Sequence, residues 1–250
     1  MMDKTHPTSP ENYQVEVCFS PVLYKDKLTK KNFITVVVDI LRASTSICAA
    51  LDHGVKEIIP VEGVNEAREF KKRGYTVACE RDGNVLDFAD VGNSPSDFLH
   101  RSFKDSTIAY STTNGTRTIR LASDADEIVI GSFVNLSSLA NWLISRKKNV
   151  VILCAAWKNL FNLEDSAFAG ALTEKLMAEP HFHTTCDSAK ASLDLWSLAR
   201  KDLGGYLGKS SHRNRLKHLV SDEDFRYTVS IDATRVIPYF QNDAIINLEA

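Results

Sequence analysis

Four short stretches of the chain gather side chains that hold anions or cations. In VVVDILRASTS, residues 36–46, Asp39 ends an apolar segment, and Arg42, Ser44 and Thr45 follow it closely. A carboxylate at the end of a buried strand is costly unless it is solvated, paired or holding a cation. Arg42 either pairs with Asp39, fastening the strand to the next helix, or binds a substrate oxyanion. Ser44 and Thr45 either cap that helix or donate to a phosphoryl oxygen. In STTNGTR, residues 111–117, the hydroxyls of Thr112, Thr113 and Thr116 surround an Asn114–Gly115 turn followed by Arg117. Gly115 permits a backbone turn denied to other residues, the amides after it can converge on an anion, and Arg117 offers a fork to two oxygens. The same letters also describe an Asn-Gly turn capped by threonines beside a surface arginine.

The third stretch, NLFNLEDSAFAG, carries the adjacent acids Glu164 and Asp165 behind Asn162. Acids suit the first turn of a helix that Asn162 caps, and neighbours on a helix diverge by about 100°, so the two need not address one ion. Together with Asp39 and either Glu62 or Glu80 they form the oxygen set that Mg²⁺ prefers when water and phosphate complete its shell. The fourth, ERDG followed by VGNSPSDF, supplies Glu80, Arg81, Asn93 and Ser94, the last two in a turn that can face a ligand. Other chemistries lack their signatures. GxxxxGK[ST], GxGxxG, DxDx[TV] and GxSxG are all absent. His181 and His183 have no third partner at zinc-like spacing, His53 sits at a helix stop, and His212 and His218 are expected to face solvent.

These residues fall where elements end. Apolar runs at 13–19, 33–40, 57–63, 76–83, 107–115, 127–133 and 149–157 each enter small or polar residues. Helix-compatible stretches follow at 41–54, 65–74, 116–123, 136–147, 163–179 and 187–203. That alternation predicts an α/β fold, a three-layer α/β/α sandwich around a mainly parallel or mixed sheet, with ligands beyond the carboxyl ends of the strands. Leu193, Trp196 and Leu198 are expected to pack, Trp157 to wall a pocket, and the polar segment 210–227 to cap one side of the body. One or two short strands close the chain. Residues 1–12 read as a flexible segment and 13–250 as a single domain.

The balance of 30 basic and 32 acidic residues, without long runs of either, gives no footprint for nucleic acid. No apolar run reaches membrane-spanning length, and the five scattered cysteines read as buried thiols of a reducing compartment. A cytoplasmic enzyme is expected, with no membrane partner and a homodimer as the ordinary prior.

In their order, VVVDILRASTSICAAL, EGVNEA, ERDG, VGNSPSDF, STTNGTR and LCAAWKNLFNLEDSAFAG resemble the 2-phosphosulfolactate phosphatase family, often called ComB-like, from about Val15 to Ala171 and more loosely beyond. The resemblance implies a magnesium-dependent acid phosphatase on an α/β/α fold. Its family reaction converts 2-phospho-3-sulfolactate to 3-sulfolactate and phosphate in coenzyme M biosynthesis. Its motif positions fall on Asp39, Arg42, Ser44 and Thr45; Glu80 and Arg81; Asn93 and Ser94; Thr112 through Arg117; and Glu164 and Asp165. Asp39, Arg42, Glu164 and Asp165 are assigned to catalysis and Asp39, Glu80, Glu164 and Asp165 to the metal. Ser44, Thr45, Arg81, Asn93, Ser94 and residues 112–117 are assigned to a small anionic phosphorylated substrate. A phosphatase for another small phosphorylated hydroxy acid, and a non-catalytic anion-binding protein, are the alternatives.

Overall fold

The computed structural model describes residues 12–25 and 32–248. The expectation of a flexible segment over 1–12 falls, except for Asn12, outside the described residues. Among the described residues eleven strands form one sheet: β1 (Tyr13–Cys18), β2 (Phe33–Val38), β3 (Glu57–Pro60), β4 (Thr76–Arg81), β5 (Asn84–Val85), β6 (Thr107–Ser111), β7 (Glu127–Gly131), β8 (Asn149–Cys154), β9 (Phe182–His183), β10 (Pro238–Gln241) and β11 (Ala244–Asn247). The helices are α1 (Ala43–Asp52), α2 (Val64–Lys72), α3 (Pro95–His100), α4 (Gly115–Leu121), α5 (Leu136–Arg146), α6 (Leu163–Met177), α7 (Asp187–Ala199), α8 (Leu203–Gly208), α9 (Ser211–Arg215) and α10 (Asp222–Thr228). No described helix is long and apolar enough to cross a membrane.

The strand order is β5-β4-β6-β3-β11-β10-β7-β2-β8-β1-β9. Within β4-β6-β3 the strands are parallel, as they are within β7-β2-β8-β1-β9. Between the two blocks lies the β10–β11 hairpin, antiparallel to β7 on one side and to β3 on the other. The closing strands foreseen at the end of the chain therefore occupy the middle of the sheet. They also reverse its sense, so that β3, β6 and β4 run opposite to β7, β2 and β8.

Alternation along the strands divides the core. Ile34, Val36, Val38, Val150 and Ile152 face α5, α6 and α7, whereas Val37, Ile128, Ile130, Val151 and Leu153 face α1 on the other side. The second block follows suit, with Ile108, Tyr110 and Ala78 toward α1 and Val77, Cys79 and Ala109 toward α2. The result is the three-layer α/β/α arrangement. Helix α1 is buried from Ala43 through Leu51, which is the behaviour of a helix surrounded on all sides. It shares one apolar cluster with β2, β8, β7, β11, β3, β6 and β4 and packs directly on β7, β10, α3 and α4. Because β2 and β6 run oppositely yet end at one cleft, the sheet must curve. Right-handed strand twist, summed over so many strands, supplies such curvature.

Leu198 departs from expectation: it is 65% exposed, while Trp196 packs against Phe133 and donates its indole N–H to Glu174. The α6–α7 contact is close enough to exclude a side chain, since a Cβ on Gly170 would stand 1.9 Å from the Ser192 carbonyl oxygen. Gly170→Ala should therefore destabilise the protein by about 2 kcal/mol or more, lowering Tm by roughly 4–8 °C. Gly63→Ala, where nothing lies within 4 Å, serves as the control in the same thermal melts. Equal melting of the two variants would contradict the packing described here.

Candidate active site

The curl of the sheet brings the ends of β2, β4, β6 and β8 to one cleft. Its walls include Asp39, Arg42, Glu80, Asn93, Thr113 and Asn114, all foreseen from sequence. They also include Trp157, His212, Arg215 and Leu216, the first foreseen as a pocket wall and the other three not assigned to a site. The cleft measures about 170 Å³, smaller than the ~300 Å³ and upward typical for drug-sized ligands, and so suits a compact molecule.

Asp39 is set by the first turn of α1. Its amide donates to Ser44 Oγ at 2.8 Å, the Ser44 amide donates back to its carbonyl at 2.8 Å, and its carboxylate accepts from the Ala43 amide. Thr45 binds the Ile40 carbonyl and Ser132, and Ser46 binds the Asn93 carbonyl. Ser44, as acceptor from the Asp39 amide, and Thr45, as donor to the Ile40 carbonyl, fix the Asp39 turn. Gly115 approaches from α4: a Cβ there would lie 2.6 Å from that of Ala43 and 2.9 Å from Asp39 Oδ2. Gly115 is not among the glycines with positive φ. The expectation of a special turn is corrected, because what this glycine supplies is room for α4 beside Asp39.

Arg42 does not pair with Asp39. Only 4% exposed, it donates to Ser94 Oγ at 2.7 Å and to the carbonyls of Leu219 and Gly83 at 3.0 Å each. All three acceptors are neutral, and among the described residues it has no carboxylate partner. A guanidinium held this way keeps its charge for an anion in the cleft. Ser94 is its anchor. Glu80 joins two loops by accepting from the Gly83 amide at 2.6 Å and from the Thr113 amide at 2.8 Å and its hydroxyl at 3.1 Å. Thr112 and Thr116 exchange bonds with each other's amides, so their hydroxyls are spent inside the loop.

Two foreseen arginines go elsewhere. Arg81 bonds Ser111 and the Glu62 carbonyl, outside the cleft. Arg117 is exposed and lines a separate hollow with Pro21, Val22, Lys25, Leu121 and Lys158, which touches the cleft only through Asn114. Short helices direct side chains by register, and Arg117 sits on the face of α4 turned from Asp39.

Behind Asp39 lie Asp165 and Glu164. Asp165 accepts from the amides of Ile40 at 2.9 Å and Ala156 at 3.2 Å and from Asn162 Nδ2 at 3.0 Å. Asn162 thus spends its side chain on Asp165 and leaves the helix end without a side-chain cap. The Ala156 amide is aimed by a left-handed backbone, φ +58, a conformation sustained by its surroundings. Glu164 diverges from Asp165 and accepts from His212 Nδ1 at 2.6 Å, both side chains being buried. The expectation of a solvent-facing His212 is corrected: α9 lays His212, Arg215 and Leu216 on one face, and that face covers the cleft. Arg215 stacks on Trp157, its guanidinium carbon 3.6 Å from the ring centroid.

Burial, then the charges of Asp165 and Glu80, raise Asp39 to about 7, with His212 pulling the other way. Burial and Glu164 raise Asp165 likewise to about 7. This like-charged pair releases its protons in coupled steps. Among the described residues no three His, Cys, Asp or Glu side chains form a ready-made metal cage. Three acids line the cleft, the buried Asp39 and Glu80 and the exposed Asp82, while Glu164 and Asp165 have turned to His212 and to backbone amides. One or two carboxylates, completed by water and phosphate, is the donor set Mg²⁺ takes, and a cation there would relieve the crowding that raises Asp39. The residues fit the ion in that reduced form.

An acid whose folded pKa exceeds its unfolded value near 3.9 binds protons that the unfolded chain has released, so stability falls as pH rises from about 4 to 7. Asp39→Asn removes that penalty. In chelator at pH 8 it should melt about 4 °C or more above the parent, the gap closing toward pH 4. Added Mg²⁺ should raise the Tm of the parent and not of the variant. A gap independent of pH would refute the strained-carboxylate account.

A family model described as 2-phosphosulpholactate phosphatase matches residues 18–243. A probable 2-phosphosulfolactate phosphatase of Caldanaerobacter subterraneus subsp. tengcongensis is 33% identical over 222 residues, covering 87% of this chain and 91% of the relative. Proteins of the same description from Symbiobacterium thermophilum and Thermotoga maritima are 30% and 32% identical, covering 86% and 84% of this chain and 94% and 90% of theirs.

Proposed function

The chain belongs to the 2-phosphosulpholactate phosphatase family, and from that premise we propose that it hydrolyses 2-phospho-3-sulfolactate to 3-sulfolactate and phosphate with Mg²⁺ as cofactor. The family supports the broader statement directly: this is a phosphatase of small phosphorylated acids. The observation that carries the finer reading is Arg42, a buried cation held by neutral acceptors in the same cleft as Asp39. With Arg215 opposite, the cleft offers two guanidinium groups to a substrate that bears phosphate, sulfonate and carboxylate.

Arg42 would bind and orient phosphoryl oxygens from its fixed fork, and Arg215, held on Trp157, would take a second anionic group. Asp39 would position the attacking water at the floor, while Trp157 and Leu216 exclude bulk solvent. A magnesium ion held by Asp39 and Glu80 would draw charge from a phosphoryl oxygen and lessen its repulsion of the nucleophile. The alcohol product would enter coenzyme M biosynthesis, and the free cysteines suit the cytoplasm where we place the reaction.

The test is a panel of 2-phospho-3-sulfolactate, 2-phospholactate and phosphoglycerate, each with and without Mg²⁺. Turnover should require the ion, with kcat/KM highest on the sulfonate. A maximum on another member would reassign the substrate, and binding without turnover throughout would sink the enzymatic reading. On the preferred substrate Arg42→Ala should lower kcat/KM by about 10²–10³-fold, whereas Arg117→Ala should stay within about twofold of the parent. Equal losses would return Arg117 to the site.

A further inference from the structure

The His212–Glu164 pair is built like a catalytic device, and no part of the phosphate-binding scheme above uses it. Both partners are buried, yet they come from distant parts of the chain: Glu164 from the first turn of α6, His212 from the five-residue α9. Their 2.6 Å contact uses Nδ1 of the ring. A carboxylate oxygen accepts, so Nδ1 carries its proton toward Glu164, and Nε2 on the far side is the nitrogen left for the cleft that the ring lines. The other Glu164 oxygen, Oε2, is buried with no hydrogen-bond partner among the described residues. Leaving an acceptor of a fully buried carboxylate unpaired is expensive. A purely structural acid would be expected to find it a donor; here the position keeps a carboxylate behind one imidazole.

The other groups around the cleft already have directions. Arg42 is fixed on neutral acceptors, Glu80 on the Gly83 and Thr113 amides, and Asp39 lies at the sheet end, where it feels His212 electrostatically. Arg215 is stacked on Trp157. What these leave without a group assigned to it is the ester oxygen. An alkoxide is a poor leaving group, and a positioned proton donor is the usual remedy.

We propose that His212, as an imidazolium with a proton on each ring nitrogen, is the general acid for the departing alcohol and that Glu164 is a positioning residue whose carboxylate accepts from Nδ1–H and balances the ring's charge, an inference that rests on the phosphatase reading. As the oxygen of water bonds to phosphorus, the bond from phosphorus to the ester oxygen breaks. The ester oxygen leaves with the electron pair and takes the proton from Nε2. One proton of the water stays on phosphate, and the other returns through solvent to the imidazole.

The experiment compares two leaving groups, the alkyl alcohol of 2-phospholactate and the p-nitrophenolate of p-nitrophenyl phosphate, which departs without a proton. For His212→Asn and His212→Ala, kcat on 2-phospholactate should fall by about 10²–10⁴-fold and on p-nitrophenyl phosphate by less than about tenfold. The ratio of the two rates within one preparation is independent of how much of it is folded, so damage to the fold does not mimic the result. Glu164→Gln should shift the same ratio in the same direction by a smaller factor. Equal losses on both substrates, or no loss on either, would overturn the assignment while leaving the phosphatase reading standing. A parent protein that hydrolyses neither of these esters nor 2-phospho-3-sulfolactate removes both.

Discussion

Everything in this site depends on one helix being buried from all sides. With β3, β6 and β4 running opposite to β7, β2 and β8, a flat sheet would send the carboxyl ends of the two blocks to opposite edges. Asp39 would then stand far from Glu80 and Asn114. The sheet closes that gap by curving, and α1, whose small and apolar residues let β7, β10, α3 and α4 pack on it, fills the space between. Its serines and threonine do not weaken this core, because each buried hydroxyl is bonded to the backbone or side chain of a neighbouring loop end. The helix that fills the core also pins the catalytic loops.

The alternation of strands and helices was legible because it is local. Each strand in the two parallel blocks except the two-residue β9 announces itself by a β-branched or apolar run, and each major helix by its period. What could not be read was where the last hairpin goes: nothing in PYFQ or AIIN says that these strands insert between β7 and β3. Insertion there depends on two open edges left by segments more than a hundred residues earlier. The same limit applies to Leu198, whose apolar character and helical setting suggested packing, although the neighbouring Trp196 takes the face against Phe133.

Within the site, residues adjacent to strand ends were found and those arriving late in the chain were missed. Asp39, Arg42, Glu80, Thr113 and Asn114 converge as their positions after apolar runs suggested, and Asn93 joins them from the turn read in VGNSPSDF. His212 and Arg215 sit in a polar segment whose average character says surface. A signal was nonetheless present. His212, Arg215 and Leu216 stand at i, i+3 and i+4, one helical face, with Ser210 positioned to cap it, and Ser210 does accept from the Arg213 amide. Arg117 shows the converse error. It follows a strand end, yet helical register carries it to another hollow.

The arrangement of charge decides what such a cleft can do. Arg42 lies three residues from Asp39, close enough along the chain to neutralise it, but the fold hands its guanidinium to Ser94 and two carbonyls instead. Asp165, in turn, is satisfied by amides rather than by a cation. Each sign is therefore buried with neutral partners, at a cost in stability that direct pairing would have lessened. Pairing would also have cancelled the field between them. Kept apart, the buried cation is left for oxyanions, and under the proposed magnesium chemistry an anionic substrate and its ion would together complete the neutralisation that the protein withholds from itself.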